Sequence, residues 1–166
     1  FFHHPALDRP QSANWAVKEN EPDPRYEKVV EIFSEHGSSE MIDPDDDNQF
    51  GVDPEKEYKG GGSAERALSL GYQLGFVGGT DSHDSKPGSL EDGPSCPDHW
   101  QDGNHMCQYS GGAVTGALTT ELSRSNIFDA IKSRHTIVST GPRPELRALI
   151  ISTAGNAYLP GDVVPV

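Results

Sequence analysis

The sequence predicts an α/β fold built from parallel β/α units, and three observations carry that prediction. Short runs rich in β-branched and aromatic residues alternate with helical patterns in the order strand, helix, strand, strand, helix, strand. Polar residues suited to chemistry follow the C-terminal ends of those strands, where β/α folds place their sites. Only 33% of the 166 residues are apolar, and the chain holds 18 Gly and 13 Pro, which favours a loop-rich domain over a helical bundle. The length suffices for one domain with a sizeable core, and no repeat at a fixed period is visible.

Residues 1–28 read as mostly irregular, with several prolines. Val29 to Phe33 is a β-branched and aromatic strand, closed by the polar run Ser34 to Glu40. Residues 41–62 are acidic and end in Gly60-Gly61-Gly62, a loop. Ser63 is an N-cap with Glu65 in the first turn. Ala64, Ala67, Leu68, Gly71 and Leu74 repeat at helical spacing, with Gly75 as the expected stop. A strand over 76–78 follows, then a polar turn. Residues 84–111 form a long loop of the kind that is usually functional or mobile. Residues 113–118 read as a strand. A helix starts near Ser123 with Ile127, Phe128 and Ile131 on one face. Thr136 to Ser139 is the next strand, closed by Thr140-Gly141-Pro142-Arg143-Pro144. Leu146 to Ile151 is a last strand that opens a separate β-rich region, so the expected division is 1–145 and 146–166.

A net charge of −13 argues against nucleic acid or an anionic membrane as partner. It leaves room for a small phosphorylated substrate, because bound divalent cations reverse the sign of a pocket. No apolar run is long enough to span a membrane. Phe1-Phe2-His3-His4 has neither the basic nor the apolar region of a signal peptide. The chain opens without Met on residues that suit the end of a buried strand, so a piece of a longer polypeptide is expected. Cys96 and Cys107 are too few for a disulfide scaffold. One loop-closing bridge and two free thiols both remain open, and a bridge would imply an oxidising compartment.

The run Gly78-Gly79-Thr80-Asp81-Ser82-His83 carries the most chemistry. In extended chain residues i and i+2 point to one side, so Asp81 and His83 can converge on one metal ion. Carboxylate oxygen and imidazole nitrogen together suit zinc, manganese or iron. Two further clusters follow strands: His3-His4-Pro5 after Phe1-Phe2, and His36 after Phe33. Adjacent histidines on an extended strand cannot both face inward. His4 is favoured as the ligand, since Pro5 fixes the backbone beside it, and His3 is the alternative. Glu31 reads as a carboxylate that orients a histidine. Glu35 and Glu40 fit either that role or a solvated loop.

Three other patterns are weaker. Asp43 to Asn48 departs from a calcium loop, with Asn48 at the glycine position and Pro54 at the bidentate glutamate position. Gly78-Gly79 lacks the Lys and Ser or Thr of a phosphate loop and instead permits close backbone approach. Cys96, His99, His105 and Cys107 match no common zinc spacing. Trp15, Trp100 and Tyr109 suit core or loop packing better than a substrate pocket.

The stretches His3-His4-Pro5, Val30 to Glu40 and Gly78 to His83 resemble the polymerase-and-histidinol-phosphatase (PHP) superfamily. More narrowly they resemble a PHP-like metal-dependent hydrolase branch of unknown function (DUF3604-like). The run Thr120 to Arg143 is similar to that branch as well, and the likeness spans about residues 1–150. It implies the C-terminal portion of a distorted (β/α)7 TIM-like barrel, with two or three divalent metals that activate water for phosphoester hydrolysis. The metal ligands it implies are His4, His36, Asp81 and His83. His36 or His83 is alternatively a general acid. Arg143, Lys86 and Arg124 are candidate phosphate clamps. The family's upstream His-x-His half has no counterpart here, so it is expected on the same polypeptide or another chain. Secreted and periplasmic members of that branch, with the cysteine pair, lean towards an extracytoplasmic location. Two other readings compete: a non-catalytic binding or structural subunit that keeps the barrel shell, and an amidohydrolase-type metallohydrolase.

Overall fold

A computed structural model describes residues 2–3, 5–6, 15, 21–34, 37–41, 62–81, 113–140, 146 and 148–165. Among these the chain forms β1 (Val29–Ser34), β2 (Gly37–Ser38), α1 (Ala64–Ser69), β3 (Gly75–Gly78), β4 (Val114–Ala117), α2 (Arg124–Lys132), β5 (Thr136–Ser139), β6 (Ile150–Ile151) and β7 (Ala157–Tyr158).

The β1–α1–β3 unit fulfils the expectation of parallel strands. Val29, Val30 and Glu31 pair with Gly75, Phe76 and Val77, and Phe33 pairs with Gly78 after a shift in register. On the other edge of β1, Phe2 forms a parallel bridge to Val30, and β2 pairs antiparallel with Phe33 and Ser34. The segments ending at His3, Ser34 and Gly78 therefore leave the sheet at the same end.

Ser63 caps α1 as its sequence position requires, its hydroxyl accepting from the Arg66 amide at 3.2 Å. The helix is shorter than the helical spacing predicts. It stops at Leu70, because Gly71 takes a φ of +86° and Tyr72 and Gly71 donate back to the carbonyls of Ala67 and Leu68. That pair of bonds is a Schellman stop, which a left-handed glycine permits at little cost. Gly75, the expected stop, is the first residue of β3 instead.

The core lies between the sheet and α1. Trp15, Val30, Ala64, Ala67 and Leu74 are buried together, with Phe2, Ile32, Tyr72 and Phe76 packed around them. Trp15 meets Phe2 and Tyr72 edge-on, and its Nε1 donates to the Ser63 carbonyl at 2.9 Å. One tryptophan thus ties the segment before β1 to the cap of α1.

The second half departs from the all-parallel expectation. β4 and β5 pair antiparallel, Val114 with Ser139 through Ala117 with Thr136. A parallel crossover must carry the chain back along the whole strand. Here the excursion through α2 closes on itself: the Leu118 amide donates to the His135 carbonyl at 2.8 Å, so the chain returns where it left. β5 nevertheless runs in the direction of β3, since Gly75 lies against Arg134 and Gly78 against Val138. Among the described residues the strands form three small sheets and no closed ring. On α2, Ser123 caps as expected, but Phe128 is 63% exposed and Ala130 is the buried residue.

In the last segment β6 and β7 form a hairpin. Residues 159–162 dock onto the turn after α2. The Arg134 Nε donates to the Gly161 carbonyl at 3.1 Å, and His135 Nε2 lies 2.8 Å from Asp162 Oδ1. Hydrogen bonds from His135 and from the Leu159 amide hold the Asp162 carboxyl below its ordinary pKa. No helix of the described residues is long and apolar enough to cross a membrane.

Candidate functional site

A carboxylate–imidazole–carboxylate arrangement forms from Glu31 within β1, His3 after the bridge beside it and Asp81 after β3. Parallel pairing sets Phe2 beside Val30, and the Glu31 amide donates to the Phe2 carbonyl at 2.9 Å. The next side chain along, His3, then lies against Glu31: His3 Nδ1 is 2.6 Å from Glu31 Oε2. The other ring nitrogen, Nε2, is 3.6 Å from Asp81 Oδ2. The Glu31 and Asp81 side chains are 7% and 16% exposed and His3 is 47% exposed, so two shielded carboxylates flank an imidazole that reaches solvent.

The register of β1 against β3 shifts between Glu31 and Phe33, directly after the site carboxylate. Such bulges re-aim side chains at sheet ends. Asp81 departs from the expected geometry. It sits at φ +52°, in the left-handed region that aspartate visits more readily than most residues. His83, with which Asp81 is expected to converge, lies outside the described residues. Among the described residues Asp81 meets His3.

The chemistry follows from the hydrogen-bond roles. A carboxylate only accepts, so Nδ1–H of His3 donates to Glu31. In the neutral imidazole that leaves the Nε2 lone pair facing the Asp81 carboxylate, and two electron-rich atoms converge. A cation or a proton between them would be shared by both atoms. Two bonds of about 2.1 Å to one metal, at angles between tetrahedral and trigonal, separate the donor atoms by about 3.4 to 3.6 Å. The observed 3.6 Å fits that range, and Glu31 supplies the carboxylate that typically orients a ligating histidine. Among the described residues no group of three or more His, Cys, Asp or Glu side chains could hold a metal ion. The described part of the site thus offers two donors.

Of the residues singled out from sequence, the structure brings together Glu31, His3 and Asp81. His4, His36, His83, Lys86, Arg143, Glu35 and the Cys96–Cys107 loop lie outside the described residues. Glu40 is exposed after β2, and Arg124 is exposed at the start of α2. Of the Gly78-Gly79 pair, Gly78 makes the close approach expected, since a Cβ there would stand 2.7 Å from that of Ala113, whereas a Cβ at Gly79 would meet no atom within 4 Å. Trp15 is core.

A sequence profile described as "Protein of unknown function (DUF3604)" matches residues 55–152, more than half of the chain. An uncharacterised protein of Chlamydia pneumoniae is 28% identical over 136 residues, which cover 82% of this chain and 20% of that protein. The chain thus spans about a fifth of the length of this relative. No solved structure matches. These findings overturn the likeness to the polymerase-and-histidinol-phosphatase superfamily: a family of unknown function and an uncharacterised relative supply no support for it. His-Pro and Asp-x-His are short patterns that polar turns after strands often carry, and their order alone does not define a superfamily.

Proposed function

This chain belongs to the DUF3604 family of proteins of unknown function, and we propose that it forms part of a metal-dependent hydrolase. The observation that carries the reading is the convergence of His3 Nε2 and Asp81 Oδ2 at 3.6 Å, with Glu31 bound to the far side of the imidazole. His3 and Asp81 would hold a divalent zinc, manganese or iron ion, a donor set of nitrogen and oxygen that suits these metals. His36 and His83, and His4 beside His3, are the proposed further ligands, two to three ions in all. A bound ion of this kind lowers the pKa of water and polarises the bond to be broken.

This chain's own residues have three tasks. Glu31 fixes the tautomer and orientation of His3. The end of β3 presents Asp81 beside it. β5 runs in the direction of β3 and ends at Ser139, four residues before Arg143, which we propose with Lys86 as an anchor for an anionic substrate. A phosphoester is the substrate class this suits, because Arg recognises phosphate through paired hydrogen bonds. With a net charge of −13 on this chain, a bound cation would favour the approach of such a substrate.

The second reading is a binding or structural subunit in which His3 is an imidazolium bridging Glu31 and Asp81, and the 3.6 Å contact favours it as well. An amidohydrolase-type activity is the third. Turnover of phosphoester and amide panels by the full natural protein, with zinc or manganese, separates them. Phosphoester turnover lost in Asp81→Asn and His83→Ala supports the proposal. Turnover of amides alone points to the third reading, and no turnover with no bound metal points to the second.

A further inference from the structure

We infer that Thr115 is a positioning residue for Asp81, acting through the backbone of Gly78; this rests on the reading of His3 and Asp81 as the site. In the parallel pairing of β1 with β3, the Gly79 amide donates to the Phe33 carbonyl at 3.1 Å. Alternate residues of a strand direct their backbone groups to opposite edges, so both polar groups of Gly78 face away from β1. No strand of the three-stranded sheet lies on that edge. The Thr115 hydroxyl takes the place of a strand. It accepts from the Gly78 amide at 2.9 Å and donates to the Gly78 carbonyl at 2.7 Å. The Ala113 amide adds a bond to the Gly79 carbonyl at 2.9 Å.

This seam is tight because Gly78 has no side chain. A Cβ there would stand 2.7 Å from the Ala113 Cβ and 2.8 Å from Val138 Cγ1. The β4–β5 pair is thereby clamped to the last residue of β3. Three residues on, Asp81 turns through φ +52° to meet His3. A residue in that conformation is held by its surroundings, and the seam before it, Gly78 on Thr115 and Gly79 on Phe33 and Ala113, is part of what holds it. A hydroxyl can serve one donor and one acceptor of the same residue at once. Valine has the same shape and can do neither, whereas serine can do both.

The test uses the full natural protein with Thr115→Val, Thr115→Ser and Asp81→Asn. Hydrogen–deuterium exchange is read for the peptide spanning 76–81, and Mn²⁺ and Zn²⁺ affinities by calorimetry. Thr115→Val should speed exchange over this peptide by about tenfold or more, with that over 29–32 unchanged, and weaken metal binding by about tenfold. Thr115→Ser should restore both. Unchanged exchange in Thr115→Val overturns the assignment, as does full metal affinity in Thr115→Val where Asp81→Asn has lost it. If Asp81→Asn leaves metal affinity intact, the metal reading fails, and the exchange measurement still decides whether Thr115 holds the strand end.

Discussion

Replacing Glu31 separates an orienting carboxylate from a merely structural one. Its carboxylate is nearly buried and holds His3 Nδ1 at 2.6 Å, while the ring it orients is about half exposed. In Glu31→Ala the ring can find water, so the fold loses little through the histidine itself. What it loses is the fixed direction of Nε2. Partners of this kind typically contribute 10- to 100-fold in metal affinity, which is about 1.4 to 2.7 kcal/mol. Glu31→Gln keeps an oxygen that accepts the Nδ1–H but removes the charge, so a smaller loss is expected, about tenfold at most. Calorimetric titration of the natural protein with Mn²⁺ and Zn²⁺ measures both variants against wild type. Wild-type affinity in Glu31→Ala, in protein that circular dichroism finds folded, would refute the orienting role.

Three further outcomes test the scaffold. Gly71→Ala meets no atom within 4 Å, so its cost is the φ of +86° alone, about 1 to 2 kcal/mol in a denaturant titration. Gly78→Ala drives a methyl into Ala113 and Val138 and should cost about 1 to 3 kcal/mol, with the Thr115 seam opened. Asp162 has a depressed folded pKa from its bonds to His135 and the Leu159 amide. Its contribution is present above the ordinary aspartate range and is lost as pH falls through the lower folded value. Thermal midpoints measured down the acid limb should therefore fall less steeply in Asp162→Asn than in wild type.

Local chemistry made several elements legible. Ser63 and Ser123 declared themselves as caps because a short hydroxyl before a helical pattern satisfies an orphan amide, and Thr136 to Ser139 is a strand at its expected bounds. β1 and β3 are parallel as their alternation with α1 requires. The antiparallel β4–β5 pair was not legible, since the same alternation describes a crossover and a helix inserted into a hairpin. Gly71 and Gly75 both fit a helix stop by residue type, and only the φ of the folded chain distinguishes them. β2 and β7 are two-residue strands, too short to carry a pattern. At the site, Glu31 was readable as a carboxylate beside a histidine, but its partner was not. Phe2 held the signal: it packs edge-on against the buried Trp15, and alternation then sends His3 the other way. The left-handed turn at Asp81 left no such trace, because aspartate is common in polar turns of every kind.

The claim that His3 and Asp81 share a metal ion is tested most directly by anomalous diffraction from crystals of the natural protein. Data collected on either side of the zinc and manganese absorption edges would locate the ion. An anomalous peak is expected between His3 Nε2 and Asp81 Oδ2, about 2.0 to 2.2 Å from each, that disappears in Asp81→Asn. A site with no peak at any edge, with the imidazole of His3 bonded to Glu31 on one side and directly to Asp81 on the other, would contradict it.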